Sequence, residues 1–360
     1  MDALDLAALL AAIPGDSPAG ADPREDFAAD ALYFRLRDAR SEARAAERQA
    51  DAAEEGEATA PAQWRPVSRL AIELLQAQAK DLEVAAWLTE ALLRTDHLDG
   101  LAAGFTLMAG LIDTWWDQLH PMPDDEGLLR RVAPVAGLNG EGAEGTLIQP
   151  LRKIPLFEMP NGGTLAVWQY QQSAELPTIA DPVRRQQRLA SGVVPFEDVE
   201  RAAREAGPTL GQVRQAATKA LAAWDSLDAA LTRHAGVDAP GTGRIRQLLT
   251  EIAEIAGRYT VPESVVVPDI ETNSPGGAEP VTISPPGRIA TREDALHLLD
   301  EIASFFYRTE PHSPLAYTLR EAVRRGRLTW PELLEEIVPD SDSRAAILSS
   351  LGIRPPRSEE

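Results

Sequence analysis

Cysteine is absent from the 360-residue chain. That excludes disulfides, thiolate nucleophiles and zinc–thiolate centres together, and it suits a reducing compartment. Histidine is scarce. His97, His120, His234, His297 and His312 form neither an HxxxH nor an HExxH pair, so no zinc-ligand spacing is offered. Basic residues are outnumbered, 35 Lys and Arg against 56 Asp and Glu, for a net charge of −21. Phosphate neutralisation needs a clustered cationic surface, so this balance speaks against nucleic acid, and it equally disfavours anionic membranes. No run approaches the ~20 apolar residues of a membrane span. The N-terminal "MDALDLAALLAAIPG" has acidic flanks where a signal peptide has a positive region. These absences predict a soluble, cytoplasmic protein without direct membrane insertion, whose self-assembly must overcome charge repulsion locally.

What is present is helical period. Hydrophobic residues make up 44% of the chain, enough for ordinary cores, and the length predicts two or three domains. Leu101, Phe105, Met108, Ile112, Trp115 and Leu119 recur at spacings of four and three, predicting a deeply buried helix over Leu101–His120. Leu82–Leu93 ("LEVAAWLTEALL") and Val67–Ala79 read the same way, and Arg35–Ala53 as a weaker helix fading into "EEGEATAPAQ". Between Glu126 and Gln172 prolines break the period, and Asn161-Gly162-Gly163 between two β-prone runs predicts a hairpin. Helices resume over Val199–Ala206, Thr209–His234 and Gly243–Tyr259. Val261–Arg288 is Pro/Gly-rich and lacks a helical period, so it reads as a linker.

The final stretch is well punctuated. Thr291 with Asp294 resembles a capping box opening a helix to about Tyr307, with Leu298, Ile302 and Phe305 on one face. Ser313 before Pro314 reads as an N-cap, and Gly326 as the C′ glycine ending that helix. Thr329–Glu332 forms a second capping box, and Ser341 or Asp342 caps a helix that stops at Gly352. The predicted fold is mainly α. An N-terminal helical bundle (1–145) is followed by a helical middle region with a small β-hairpin (146–259). A flexible linker (260–289) then leads to a small C-terminal helical bundle (290–354).

Candidate chemistry is thin. Glu310 and His312 sit in "RTEPHSPLAYTLREAVRRG", but Ser313, Pro311 and Pro314 explain that stretch as a helix corner. "DAPGTGRI" (Asp238–Ile245) departs from a phosphate-binding loop: Arg244 stands for its lysine, Ile245 for its Ser/Thr, and a helix precedes it. "GLNGEGAEG" does not open a helix after a strand, and Asp124 and Asp125 read as a solvated turn. Trp115 and Trp116 are adjacent and point ~100° apart, so one is core and the other is core or a partner anchor. Trp330 is an interface candidate. No catalytic, metal or cofactor site is expected, and the residues by themselves leave a helical scaffold or adaptor.

Several segments together resemble the TssA family of type VI secretion proteins, whose N-terminal region is the ImpA-type domain. They are "GDSPAGADPRED" (Gly15–Asp26), "KDLEVAAWLTEALL" (Lys80–Leu93) and "GLAAGFTLMAGLIDTWWDQLHPMPDDEG" (Gly100–Gly127). The C-terminal "TREDALHLLDEIASFFYRTEPHSPLAYTLREAVRRGRLTWPELLEEIV" resembles the assembly domain of one branch, including its EPxSP corner. The resemblance implies a non-catalytic cytoplasmic component that self-associates through its C-terminal domain into rings and coordinates baseplate, tube and sheath. A general helical adaptor that forms no rings is the alternative. On the ring reading, Glu310–Pro314 sets a helix angle in the oligomerising module. Arg320, Arg324, Arg325 and Arg327 then form the basic surface expected to meet acidic groups on a neighbouring copy.

Overall fold

The computed structural model describes residues 4–28, 30–52, 62–125, 127–140, 144–160, 162–260, 292–309, 314–328, 333, 336 and 340. The chain divides into two compact units, Met1–Val266 and Val267–Glu360.

In the first unit, the short α1 (Leu6–Leu10) is opened by Asp5, whose carboxylate accepts from the Ala8 N–H. It is followed by α2 (Leu32–Ala52), α3 (Trp64–Ala77) and a long helical run, α4 (Leu82–Trp115). The backbone of α4 breaks at His97, where φ is 52° and ψ −136°. A Cβ placed on Gly104 would lie 2.4 Å from the Thr89 hydroxyl. In a straight helix residues fifteen apart would be about 22 Å apart, so the run is two helices folded against each other. That agrees with two separate apolar periods, Leu82–Leu93 and Leu101 onward. The second half is shorter than its period predicts. After Trp115 the chain tightens into a 3₁₀ turn, Trp116–Gln118, and leaves the helix before His120.

The predicted hairpin forms: β1 (Pro155–Glu158) pairs antiparallel with β2 (Thr164–Ala166), with Glu158 opposite Thr164. Around it lie helices that prolines and polarity had hidden. In α5 (Leu129–Asn139), Pro134 interrupts the pattern although Val132, Val135 and Leu138 are all buried. Short α6 (Ile148–Arg152) and α7 (Val167–Glu175) flank the hairpin. In α8 (Pro182–Ala190) no residue is buried, so there was no apolar period to read; Asp181 caps it with Pro182 at the first position. Next come α9 (Phe196–Glu205), α10 (Gly207–Ala235) and α11 (Gly243–Gly257).

One continuous core reaches from Leu9 to Ala256. Its centre is where α10 runs along α4, with the fully buried rings of Phe105 and Trp224 4.6 Å apart. The expected boundary at 145/146 lies inside this unit. The "DAPGTGRI" segment is the connection between α10 and α11. Asn139, at the end of α5, clamps it by donating to the Gly241 carbonyl (2.7 Å) and accepting from the Ile245 N–H (2.9 Å).

In the second unit, α12 (Arg292–Thr309) packs on α13 (Pro314–Arg327), burying Leu296, Ala303 and Val323. Gly326 does not end the helix as a C′ glycine; α13 continues to Arg327. A Cβ there would meet Leu296 at 2.6 Å, so the glycine permits close helix approach. The face carrying Leu298 and Ile302 is open to solvent. The linker 261–288, the caps at Thr291, Ser313, Thr329, Ser341 and Asp342, and the predicted fourth helix fall outside the described residues.

His97 is exposed and holds a left-handed backbone that costs a non-glycine residue about 1–3 kcal/mol. Relief of that strain outweighs the unfolded-state entropy of glycine. His97→Gly is therefore expected to raise the unfolding free energy by roughly 1 kcal/mol, measured by urea titration.

Candidate functional site

Three residues after α3 ends, Lys80 enters the interior completely. Its ammonium donates to the carbonyl of Leu9 (2.8 Å) and that of Leu75 (2.7 Å). These carbonyls lie in the last turns of α1 and α3, where helices leave acceptors without an intrahelical partner. One cation therefore terminates both helices, at the negative ends of their dipoles. Burial pushes the Lys80 ammonium down to about 8.

The backbone around Lys80 ties three distant segments together. Lys80 N–H donates to the Ala19 carbonyl (2.7 Å), His120 N–H to the Lys80 carbonyl (3.0 Å), and Leu82 N–H to the His120 carbonyl (2.7 Å). Gly20 sits at the crossing with φ 79°, and a Cβ on it would fall 1.9 Å from the Gln78 carbonyl oxygen, so only glycine fits.

The neighbouring Asp81 is fully buried and caps α4, accepting from the Val84 N–H (2.9 Å). Arg24 answers its charge with a 2.7 Å hydrogen bond, and also donates to Asp22 (3.0 Å) and Glu83 (2.6 Å). Tyr33 donates its hydroxyl to Glu83 (2.8 Å) and stacks on Trp87 at 5.5 Å. Burial opposes the charge on Arg24, but Asp81 and Glu83 outweigh it and hold its pKa above the ordinary value. Burial raises the pKa of the Asp81 carboxyl and of the Tyr33 phenol, the latter reinforced by Glu83.

The pattern repeats along α2 and α4. Arg40 grips Glu90 through two hydrogen bonds (2.9 and 2.7 Å) and lies over the Trp87 ring, while Thr146 donates to Glu90 (2.6 Å). Arg94 pairs with Glu47 (3.0 Å) above the Trp64 ring. Arg24, Glu83, Arg40, Trp87, Glu90 and Thr146 border a cleft of about 380 Å³ whose other wall is Arg130, Ala133, Pro134 and Gly137 of α5. The arrangement holds chain segments in register. Among the described residues, no three His, Asp or Glu side chains are grouped to hold a metal ion.

The residues predicted as interaction candidates are placed differently. Trp115 donates its indole N–H to the Leu10 carbonyl (3.0 Å), and Trp116 lies between the Arg131 guanidinium (5.0 Å) and the His234 ring (5.2 Å). Both tryptophans are half-buried against the core. Arg324 pairs with Glu321 (2.7 Å) and Glu336 (2.6 Å), and Arg325 with Glu321 (2.8 Å) and Glu336 (3.0 Å). The Arg324 hydrogen bond holds the Glu321 carboxyl down at about 2. The basic patch expected to reach a neighbouring copy is thus matched within its own chain at these two positions, and Arg320 on the same helix is also engaged. Pro314 opens α13; Glu310, Pro311, Ser313 and Trp330 lie outside the described residues.

Arg24, Lys80 and Asp81 were not singled out from the sequence, and His120 was weighed only as a metal ligand, yet each lies in a segment that carried the family resemblance. The profile of the ImpA N-terminal, type VI secretion system family matches residues 10–140, which contain all four. The type VI secretion system component TssA1 of Pseudomonas aeruginosa is 30% identical over 361 residues, spanning 95% of this chain and 97% of that protein. The chain belongs to the TssA family. A solved N-terminal domain of TssA from Burkholderia cenocepacia, which includes the conserved ImpA_N region, is similar in fold, with a TM-score of 0.58 and 26% identity. The match covers 72% of this chain and 94% of that domain. This TssA-family chain is therefore a type VI secretion system component built mainly of helices.

Removing Arg24 would leave Asp81 buried without its counter-charge. Arg24→Met is expected to cost about 3–5 kcal/mol in urea unfolding, and the double substitution Arg24→Met/Asp81→Asn to recover part of that. The pH response of Lys80 follows from its lowered pKa. Between about pH 8 and the unfolded value of 10.5 the unfolded chain holds a proton that the folded chain has released. Folding stability from this group therefore rises with pH across that window. Lys80→Met leaves two buried carbonyls unpartnered and should destabilise by about 1–3 kcal/mol. The gap to the parent chain should widen from pH 7 to pH 9.5 in paired unfolding curves.

Proposed function

We propose that this chain is a non-catalytic, cytoplasmic assembly component that self-associates through its C-terminal unit into a ring-like homo-oligomer and coordinates baseplate, tube and sheath proteins. The observation that carries this reading is the extent of the similarity. An overlap of 95% with TssA1 runs past the first unit and into α12 and α13. Among the described residues no helix is long and apolar enough to cross a membrane.

The surface of the second unit supports self-association of a particular kind. Leu298 and Ile302, one helical turn apart on α12, are each 38% exposed, and Tyr317 on α13 is 58% exposed. Covering what remains exposed of each of these two aliphatic side chains contributes about 0.5–1 kcal/mol. Copies carrying a net charge of −21 repel one another, so a contact built on apolar side chains beside internally neutralised arginines suits this protein. This revises the arginine-to-acid contact expected from the sequence: the apolar stripe, not Arg324 and Arg325, becomes the contact.

Light scattering after size exclusion of the full chain tests the reading. A large discrete oligomer is expected, reduced to monomer or dimer by Leu298→Asp/Ile302→Asp while Arg324→Gln/Arg325→Gln leaves the mass unchanged. A monomeric parent chain would overturn self-association and leave a helical adaptor.

A further inference from the structure

With Arg324 and Arg325 neutralised internally, uncompensated positive charge has to be sought elsewhere, and α2 carries it. Arg40, Arg44 and Arg48 are four residues apart and share one face of that helix. Arg94 of α4 joins them, because it pairs with Glu47 on the neighbouring turn. Arg40 and Arg94 are satisfied by Glu90 and Glu47. Arg44 is half-buried and Arg48 exposed, and neither forms a hydrogen bond or ion pair with any described residue. Burial works against the Arg44 charge, as do the guanidinium groups of Arg40, Arg48 and Arg94, with Glu90 opposing them. A half-buried guanidinium held among three others, with no carboxylate of its own among the described residues, is electrostatically unfavourable. An incoming anion relieves it.

We propose that Arg44 and Arg48 form a docking surface for an acidic polypeptide segment of a partner protein, one presenting Asp or Glu side chains about one helical turn apart. The spacing of the two arginines along α2 sets that of the carboxylates. Charge complementarity also selects the class of partner. Glu47 and Glu90 stand among the four arginines, so the surface alternates in sign and repels a continuous polyanion, as does a chain with net charge −21. Discrete carboxylates can instead be seated between the acidic groups.

The test uses the full chain and a fluorescein-labelled helical peptide with glutamate at every fourth position, followed by anisotropy at low and high salt. Binding is expected at low salt, weakened by added salt and by at least ~10-fold in Arg44→Gln/Arg48→Gln. Arg201→Gln/Arg204→Gln on α9 removes the same charge from arginines that are already paired, and should bind as the parent does. Equal loss in both variants, or no loss in either, overturns the proposal; so does displacement of the peptide by duplex DNA at lower concentration. A thermal melt separates docking from a structural role. Arg44→Gln should leave Tm unchanged or raised, whereas a lowered Tm would make Arg44 part of the fold and end the proposal.

Discussion

The first unit depends on one buried cation. Lys80 has no depth of solvent to escape into, so its ammonium donates its hydrogen bonds to carbonyls that two helices leave over at their ends. Because those acceptors belong to α1 and α3, the lysine sets where both helices stop relative to α4, which begins immediately afterwards. Asp81 then caps α4 and requires Arg24, and Arg24 draws in the segment before α2. The order of dependence runs from a backbone requirement to a charge requirement to the placement of whole helices.

The same economy governs the aromatic residues. They are few, and among the described residues guanidinium groups cover five of their rings: Arg24 on Tyr33, Arg37 on Phe34, Arg40 on Trp87, Arg94 on Trp64 and Arg131 on Trp116. A flat, weakly hydrated guanidinium can lie on a ring and still reach a carboxylate at its edge, which an ammonium cannot do. A protein with excess acid thus engages many of its described arginines within its own architecture. Arginines left outside these pairings, as on α2, become informative about partners for that reason.

How legible was this in the sequence? The longer helices with an uninterrupted apolar face were, including both halves of α4, because burial on one side imposes a period over several turns, whereas the short α1, α6 and α7 offer too few turns to show one. The hairpin was legible from Asn161-Gly162-Gly163. Helix α8 was not, having no buried face, and α5 was not, because Pro134 reads as a breaker although its ring fits a short helix held by Asn139 and Arg131. For the candidate site, the segments were visible and the contacts were not. "GADPRE", "KDLE" and "LHP" hold residues 57 and 100 positions apart where Arg24 meets Asp81 and His120 meets Gly20. No local rule connects them.

What the sequence by itself determined is the class of protein: helical, acidic, without cysteine, and similar to a family of secretion components. What only the tertiary structure decided is which charges are available. Arg324 and Arg325 are a basic run in sequence, yet Glu336 returns from farther along the chain to neutralise them. Arg44 looks like any helical arginine, yet folding adds Arg94 of α4 to the Arg40 and Arg48 of its own helix. Charge is written residue by residue, but the field at a site is a sum over neighbours in space, and folding alone chooses the neighbours.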